Sequence, residues 1–335
     1  MATHSRTLEA RGFLLSGAFV ALASMRDVYL GGLLQRVNPL VVAVTAFSLC
    51  TLAFLAVAFV RDRAGLAALV RHRRRLGSVN VTTALAWLSF FFALRAVEPA
   101  LVQILFFGVG PLSVTWIDRF VVGTTPVTLT TAERRLHVGL LIALVFAGAV
   151  VAGGLSGLGA QPPGRALTGI ALAIGGGVSI SVSTVLCRTL NDAGVGPTTL
   201  LALRFPGAVV LAATLAVVTP GDAFVPVTPG ILGGVALASF LLIVLPNYVN
   251  QIGVALASPV TVRAVLAVGP VLVFALQLLE GRLSSSPATL AACLLYAVFA
   301  VAAAVARRRA IATRPTEPLS LPLHAGRGRV SASSR

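Results

Sequence analysis

Two carboxylates and a few arginines and amides stand inside runs that are otherwise apolar, and these residues have chemistry to offer. Arg26 and Asp27 interrupt an apolar stretch that begins near residue 12, and Arg95 is followed one turn later by Glu98. Carrying a charge into lipid costs about 2.5–3.5 kcal/mol on insertion scales, so each such group must face protein or water. Burial raises the pKa of such a carboxylate and a neighbouring arginine lowers it. Two readings stay open. Asp27 or Glu98 exchanges a coupling proton, or Arg95 and Glu98 merely pair at i, i+3 while an arginine of a neighbouring helix holds Asp27.

A second polar group follows later in the chain: Arg204, then Asn247, Tyr248, Asn250 and Gln251, then Arg263. Asn247 and Gln251 are one helical turn apart and share a face. Arg263 follows Pro259 by four residues, as Gln103 follows Pro99. A ring of arginine and amide donors suits a carboxylate or other anionic group. The alternative is an arginine that snorkels to the membrane interface. Among the aromatic residues, Trp87 and Tyr248 are the candidates to line a cavity. Cys50, Cys187 and Cys293 lack metal-ligand spacing, and the four histidines lie outside or at the edge of the apolar runs, so no metal and no cofactor is expected.

The elements that must carry these groups follow from composition. Of 335 residues, 57% are hydrophobic and 11% charged, and the mean hydropathy is +0.95, well above the apolar share of soluble domains. Lipid is the solvent. The net charge of +16 would suggest nucleic acid in a soluble chain, but all 26 basic residues are arginine and most lie between apolar runs. Runs of about 20 residues place ten spans near 12–34, 39–60, 79–97, 99–122, 137–157, 166–187, 198–218, 230–252, 259–279 and 288–306. With the N-terminus inside, the outer loops keep only Arg36, Arg165 and Arg282, so both termini are expected in the cytoplasm. The start of the chain also has the look of a cleavable signal peptide, ending at Ala21-Leu22-Ala23. Cleavage would leave an odd number of spans, so the first span is expected to stay. The segments are then a cytoplasmic N-terminus (1–11), a first five-helix repeat (12–157), a second (166–306) and a basic, disordered cytoplasmic tail (307–335).

The halves echo one another. Glu98-Pro99-Ala100 with Gly110-Pro111 recurs as Ser258-Pro259-Val260 with Gly269-Pro270, and Pro39 aligns with Pro197. A proline inside a helix removes a donor, so Gly110-Pro111 and Gly269-Pro270 are both expected to break their helices beside a central cavity. Five spans per half make the second copy insert upside down, an inverted repeat. The expected fold is an all-α integral membrane protein of ten transmembrane helices in two inverted five-helix repeats.

On these residues the chain resembles the drug/metabolite transporter superfamily, and within it the EamA-like ten-span transporters. The likeness covers roughly residues 12–306. It rests on the five-plus-five layout, on the stretch from Ser258-Pro259 to Glu280-Gly281-Arg282-Leu283-Ser284, and on Leu203-Arg204-Phe205. Ala46 departs from it at the place of a first-repeat counterpart to Arg204, and no glutamate follows Pro111 as Glu280 follows Pro270. The resemblance implies an inner-membrane secondary transporter, not an enzyme, that exports a small polar metabolite or drug by alternating access. Its expected partners are that substrate, the lipid bilayer and a coupling proton, with room for a homodimer and no role for nucleic acid. The alternatives are an intramembrane enzyme and a channel-like membrane subunit.

Overall fold

The computed structural model describes residues 2–117, 119, 121, 129–219, 228–256 and 259–312, and among these it is all helical with no strand. In lipid, backbone groups find no water, so each segment must satisfy them within its own helix. Proline sets the starts: Pro39, Pro99, Pro163, Pro197, Pro206, Pro229, Pro259 and Pro287 each open a helix, where the missing N–H would have had no intrahelical partner. The helices are α1 (Ala2–Leu33), α2 (Pro39–Arg61), α3 (Arg63–Arg71), α4 (Arg73–Ala96), α5 (Pro99–Ile117), α6 (Thr131–Ala152) and α7 (Pro163–Asp192). They continue with α8 (Pro197–Arg204), α9 (Pro206–Val218), α10 (Pro229–Ser239), α11 (Leu245–Leu256), α12 (Pro259–Leu266), α13 (Gly269–Glu280) and α14 (Pro287–Ala312), with a π-helical turn, Phe240–Val244, joining α10 to α11.

Eight of these segments are long and apolar enough to cross a membrane: Ala10–Leu33, Pro39–Arg61, Arg73–Ala96, Thr131–Ala152, Pro163–Asp192, Pro197–Val218, Pro229–Asn250 and Pro287–Ala310. This is the make-up of a multi-pass membrane protein. The other two expected spans fall on shorter apolar helices, Pro99–Ser113 and Ala264–Glu280. The short α3, between α2 and α4, was not among the expected elements.

α7 lies along α4 and α5, and α1 lies along α11, α12 and α13. α2 packs on α8, α9 and α10, α4 also meets α9, α6 meets α5 and α14, α14 packs on α12 and α13, and α5 touches α13. Phe47, Phe90, Phe91, Phe205, Leu101 and Ile104 fill the centre, fully buried. Small residues let the helices approach: a Cβ on Gly177 would collide with the Phe106 carbonyl oxygen of α5, and one on Gly176 would stand 3.1 Å from the Ala86 carbonyl of α4. Gly176 and Gly177 therefore form a seam for α7, while Gly175 faces away from it.

One expectation is corrected here. Pro111 lies inside α5, which runs on through it. A proline removes one hydrogen bond, and here that loss does not end a helix packed against both α6 and α7. Pro270 behaves differently. α12 stops at Leu266, Val268 donates to the Val265 carbonyl in a tight turn at 3.2 Å, and α13 begins afresh at Gly269. Only the second half carries a discontinuous helix at this point.

Candidate functional site

The polar residues of the interior fall into three groups, each at a junction of several helices. In the first, Arg26 of α1 donates from Nε to Asp27 Oδ1 at 2.6 Å, and Gln103 of α5 donates to Asp27 Oδ2 at 2.7 Å. All three side chains are at least 97% buried. Gln103 in turn lies against the start of α13, where a Cβ on Gly269 would stand 2.8 Å from its Oε1. The Arg26 guanidinium lies over the Trp87 ring at 5.1 Å and the Phe90 ring at 5.7 Å, an arrangement in which the ring quadrupoles attract the cation. One of the two readings of the sequence has Asp27 held by an arginine of a neighbouring helix. Its partner is instead its own chain neighbour, and the neighbouring helix supplies an amide.

The second group centres on Glu98, fully buried in the link between α4 and α5. Its Oε2 accepts from the Gly157 N–H at 2.7 Å and from Thr289 Oγ1 of α14 at 2.8 Å, and its Oε1 accepts from Gln277 of α13. Ser284 Oγ donates to the Gly157 carbonyl at 3.0 Å, and Arg282 donates to Gln35 Oε1 at 3.1 Å. Glu98 thus ties the α4–α5 link to the loop after α6, to α13 and to α14, closing one end of the bundle. Arg95, on the last turn of α4, accepts through its backbone carbonyl a bond from Arg165 at 2.9 Å.

Arg204 holds the third. Its side chain turns inward, 8% exposed, with Nε donating to Thr83 Oγ1 of α4 at 3.2 Å and a terminal nitrogen donating to Ser183 Oγ of α7 at 3.4 Å. The two hydroxyls lie 2.7 Å apart. Hydroxyls in an apolar helix usually bond back to their own carbonyls, as Thr82, Ser179, Ser181 and Thr184 do here. Thr83 and Ser183 instead face across helices. Arg204 therefore does not snorkel, and the expected ring with Asn247 and Tyr248 is not formed. Asn247 donates to the Ile243 carbonyl of its own helix at 2.7 Å, and Tyr248, 41% exposed, sits beside Phe54. The side chains of Gln251 and Arg263 lie outside the described residues.

Aromatic rings connect the first and third groups. Trp87 meets Phe47 edge-on at 5.5 Å, Phe47 stacks on Phe205 at 5.3 Å, and the Arg204 guanidinium lies 5.8 Å from the Phe205 ring. Trp87 thus lines a packed aromatic column rather than an open cavity. At the end of the bundle opposite Glu98 lies a cleft lined by Val57, Ala58, Arg61, Asp62, Thr199 and Tyr248. Asp62, in the link between α2 and α3, accepts from Thr199 Oγ1 at 2.5 Å and from the Gly65 N–H at 2.9 Å. Those hydrogen bonds hold its carboxyl below the ordinary aspartate value.

Sequence reasoning missed Asn80. Pro206 ends α8, and the Asn80 amide of α4 enters the gap, donating to the Leu203 carbonyl and accepting from the Gly207 N–H, each at 2.7 Å. The signal was the Pro206-Gly207 pair inside an apolar run, which demands a polar partner from elsewhere.

No family model matches this chain, and no curated protein matches it. A solved crystal structure superimposes on it with a TM-score of 0.61 at 21% identity, covering 90% of this chain and 99% of the other. At that identity the likeness carries the fold alone.

Proposed function

We propose that the protein is a secondary transporter of the cell membrane that moves a small polar solute by alternating access between two inverted halves, with ten spans and both termini in the cytoplasm. The observation that carries this reading is the buried Arg26–Asp27–Gln103 group, where α1 and α5 meet the restart of a discontinuous helix, α13. Charged side chains and broken helices persist in lipid only where they serve a pathway or a packed partner, and paired at an interface between halves they mark a transport site.

The helix packing favours the inverted arrangement. Exchanging α1 with α7, α2 with α8–α9, α4 with α10–α11, α5 with α12–α13, and α6 with α14 turns the α4–α7 packing into α1–α11 and α5–α7 into α1 with α12–α13, both of which occur. The same exchange maps α5–α6 onto α14 with α12–α13, and α2–α9, α6–α14 and α5–α13 onto themselves. Self-paired contacts are what a twofold axis between halves requires. The Glu98 end is tied shut while the opposite end holds a cleft, the asymmetry of a carrier resting with one side open. The arginines at the cleft end, Arg61, Arg63, Arg71, Arg73, Arg74 and Arg75 among them, favour that end facing the cytoplasm.

Counterflow tests the reading. Purified protein in liposomes preloaded with a mixture of unlabelled amino acids, organic acids, sugars and nucleosides is given trace labelled compounds outside. A carrier concentrates its labelled substrate transiently and saturably. Equilibration without overshoot would mean a pore, and no uptake of any member would remove the transport reading.

A further inference from the structure

The Arg204 group has a feature that the Arg26 group lacks: its cation has no carboxylate. Among the described residues no acidic side chain forms an ion pair with Arg204, whereas Arg26 is neutralised by Asp27 at 2.6 Å. A guanidinium carries five N–H donors, and the protein supplies acceptors to two of its nitrogens, both neutral hydroxyls at the long end of hydrogen-bond distance. A buried charge left in this state is costly unless something completes it. The Phe205 ring face is a partial offset only.

The surroundings are built for positioning rather than for neutralisation. Thr83 and Ser183 come from different helices, forgo the carbonyls of their own turns, and bond each other at 2.7 Å, which fixes the guanidinium plane. Their mutual bond uses one of the two hydroxyl protons, so the other hydroxyl keeps a proton to donate to a bound anion. The cleft lies close by along the same helix. Thr199, which lines the cleft at the arginine-rich end, precedes Arg204 by five residues on the same helix, a rise of about 7–8 Å at ~1.5 Å per residue.

We propose that Arg204, with Thr83 and Ser183, is the binding subsite for the oxyanion of the transported solute, a carboxylate or a phosphate that reaches it through the Thr199–Tyr248 cleft. This rests on the carrier reading for how the ligand moves, but not for whether it binds. The planar fork matches two oxygens at once, so lysine is a poor replacement although it keeps the charge.

Binding is read by thermal unfolding of the full chain in a neutral maltoside detergent, with benzoate and inorganic phosphate as probes and benzamide as the uncharged match for benzoate. A ligand that binds only the folded protein raises its apparent stability. The expected result is stabilisation by at least one of the two anions and none by benzamide. Arg204→Gln should weaken that binding about tenfold to a hundredfold, the range of a charge-assisted hydrogen bond, and Arg204→Lys should restore part of it. Arg188→Gln, an exposed arginine on α7, should bind as wild type. If Arg204→Gln fails to fold, the double variant Thr83→Val with Ser183→Ala, which keeps the cation, decides instead and should also bind more weakly. No stabilisation of the wild type by either anion, equal stabilisation by benzamide, or unchanged affinity in the deciding variant would each overturn the proposal. The two readings separate: anion binding without counterflow keeps the subsite and removes the carrier, whereas counterflow confined to uncharged solutes and insensitive to Arg204→Gln does the reverse.

Discussion

Arg26 and Asp27 are adjacent in sequence, a spacing that normally points side chains to different faces of a helix, yet their side chains meet in the interior at 2.6 Å. Removing one partner of a buried pair leaves an uncompensated charge and costs about 3–5 kcal/mol, whereas replacing both with apolar residues can be close to neutral. Asp27→Leu and Arg26→Met should therefore each lower unfolding stability by that order, and the double variant by much less than their sum. Additive losses in a thermal-unfolding cycle would mean that the two side chains act independently. At Asp62 the sign is fixed by its hydrogen bonds. Thr199 and Gly65 bind the ionised form and lower its folded pKa below the ordinary 3.8, so the stability they add is present above 3.8 and is lost as the pH falls through the depressed value. The stability gap between wild type and Thr199→Val should be constant near neutrality and shrink on acidification below 3.8. A gap that widens in acid would contradict this assignment. At this scale the sequence was legible for the charges, because an arginine or carboxylate in an apolar run announces itself. The partners were not, because Thr83, Ser183, Thr289 and Gln277 are ordinary helix residues until folding aims them across a junction.

Helix starts read directly from proline, since a residue without an N–H fits best where no partner exists. Helix breaks did not. Pro111 and Pro270 each follow a glycine, but α5 passes through the first and the chain restarts at the second. Local chemistry makes a break affordable, and only packing decides whether it happens. The break at Pro206 shows what packing supplies. Asn80 bridges the Leu203 carbonyl and the Gly207 N–H, which would otherwise bond each other in an unbroken helix. Asn80→Leu leaves both part-buried groups without their partner and should cost about 1–3 kcal/mol. Asn80→Asp keeps the acceptor for Gly207 but sets an oxygen against the Leu203 carbonyl, so it should rescue little. Full stability in Asn80→Leu would show that water or a shifted backbone fills the gap as well as the amide does.

At the scale of the whole molecule, apolar content made the membrane class legible, whereas the packing of the helices depends on contacts between segments 100 and more residues apart, as between Thr83 and Ser183. Orientation can be tested on a clean background because Cys50, Cys187 and Cys293 are all buried. A thiol introduced at Gln161 should react with an impermeant maleimide added to intact cells and one at Arg73 should not; the reverse pattern would invert the topology.

The closed end supplies the last test. If the halves rock, the Glu98 end must open in each cycle, and the bonds that shut it include those of Gly157, Gln277 and Thr289 to Glu98, of Ser284 to the Gly157 carbonyl, of Ser286 to the Leu155 carbonyl, and of Arg282 to Gln35. Most of them join residues of the first half to residues of the second, so they must break together for solute to pass. Arg282 and Gln35 lie at the rim of that end and are joined at 3.1 Å, which makes the pair a place to lock it. Cysteines introduced at both positions and bridged by a short bifunctional maleimide should abolish counterflow, while anion binding from the cleft end stays at the wild-type level and cleavage of the bridge restores transport. Either cysteine alone should transport normally after the same treatment. Full counterflow in the bridged protein would mean that this end never opens, and the solute path would then have to run between helices other than α1 and α13.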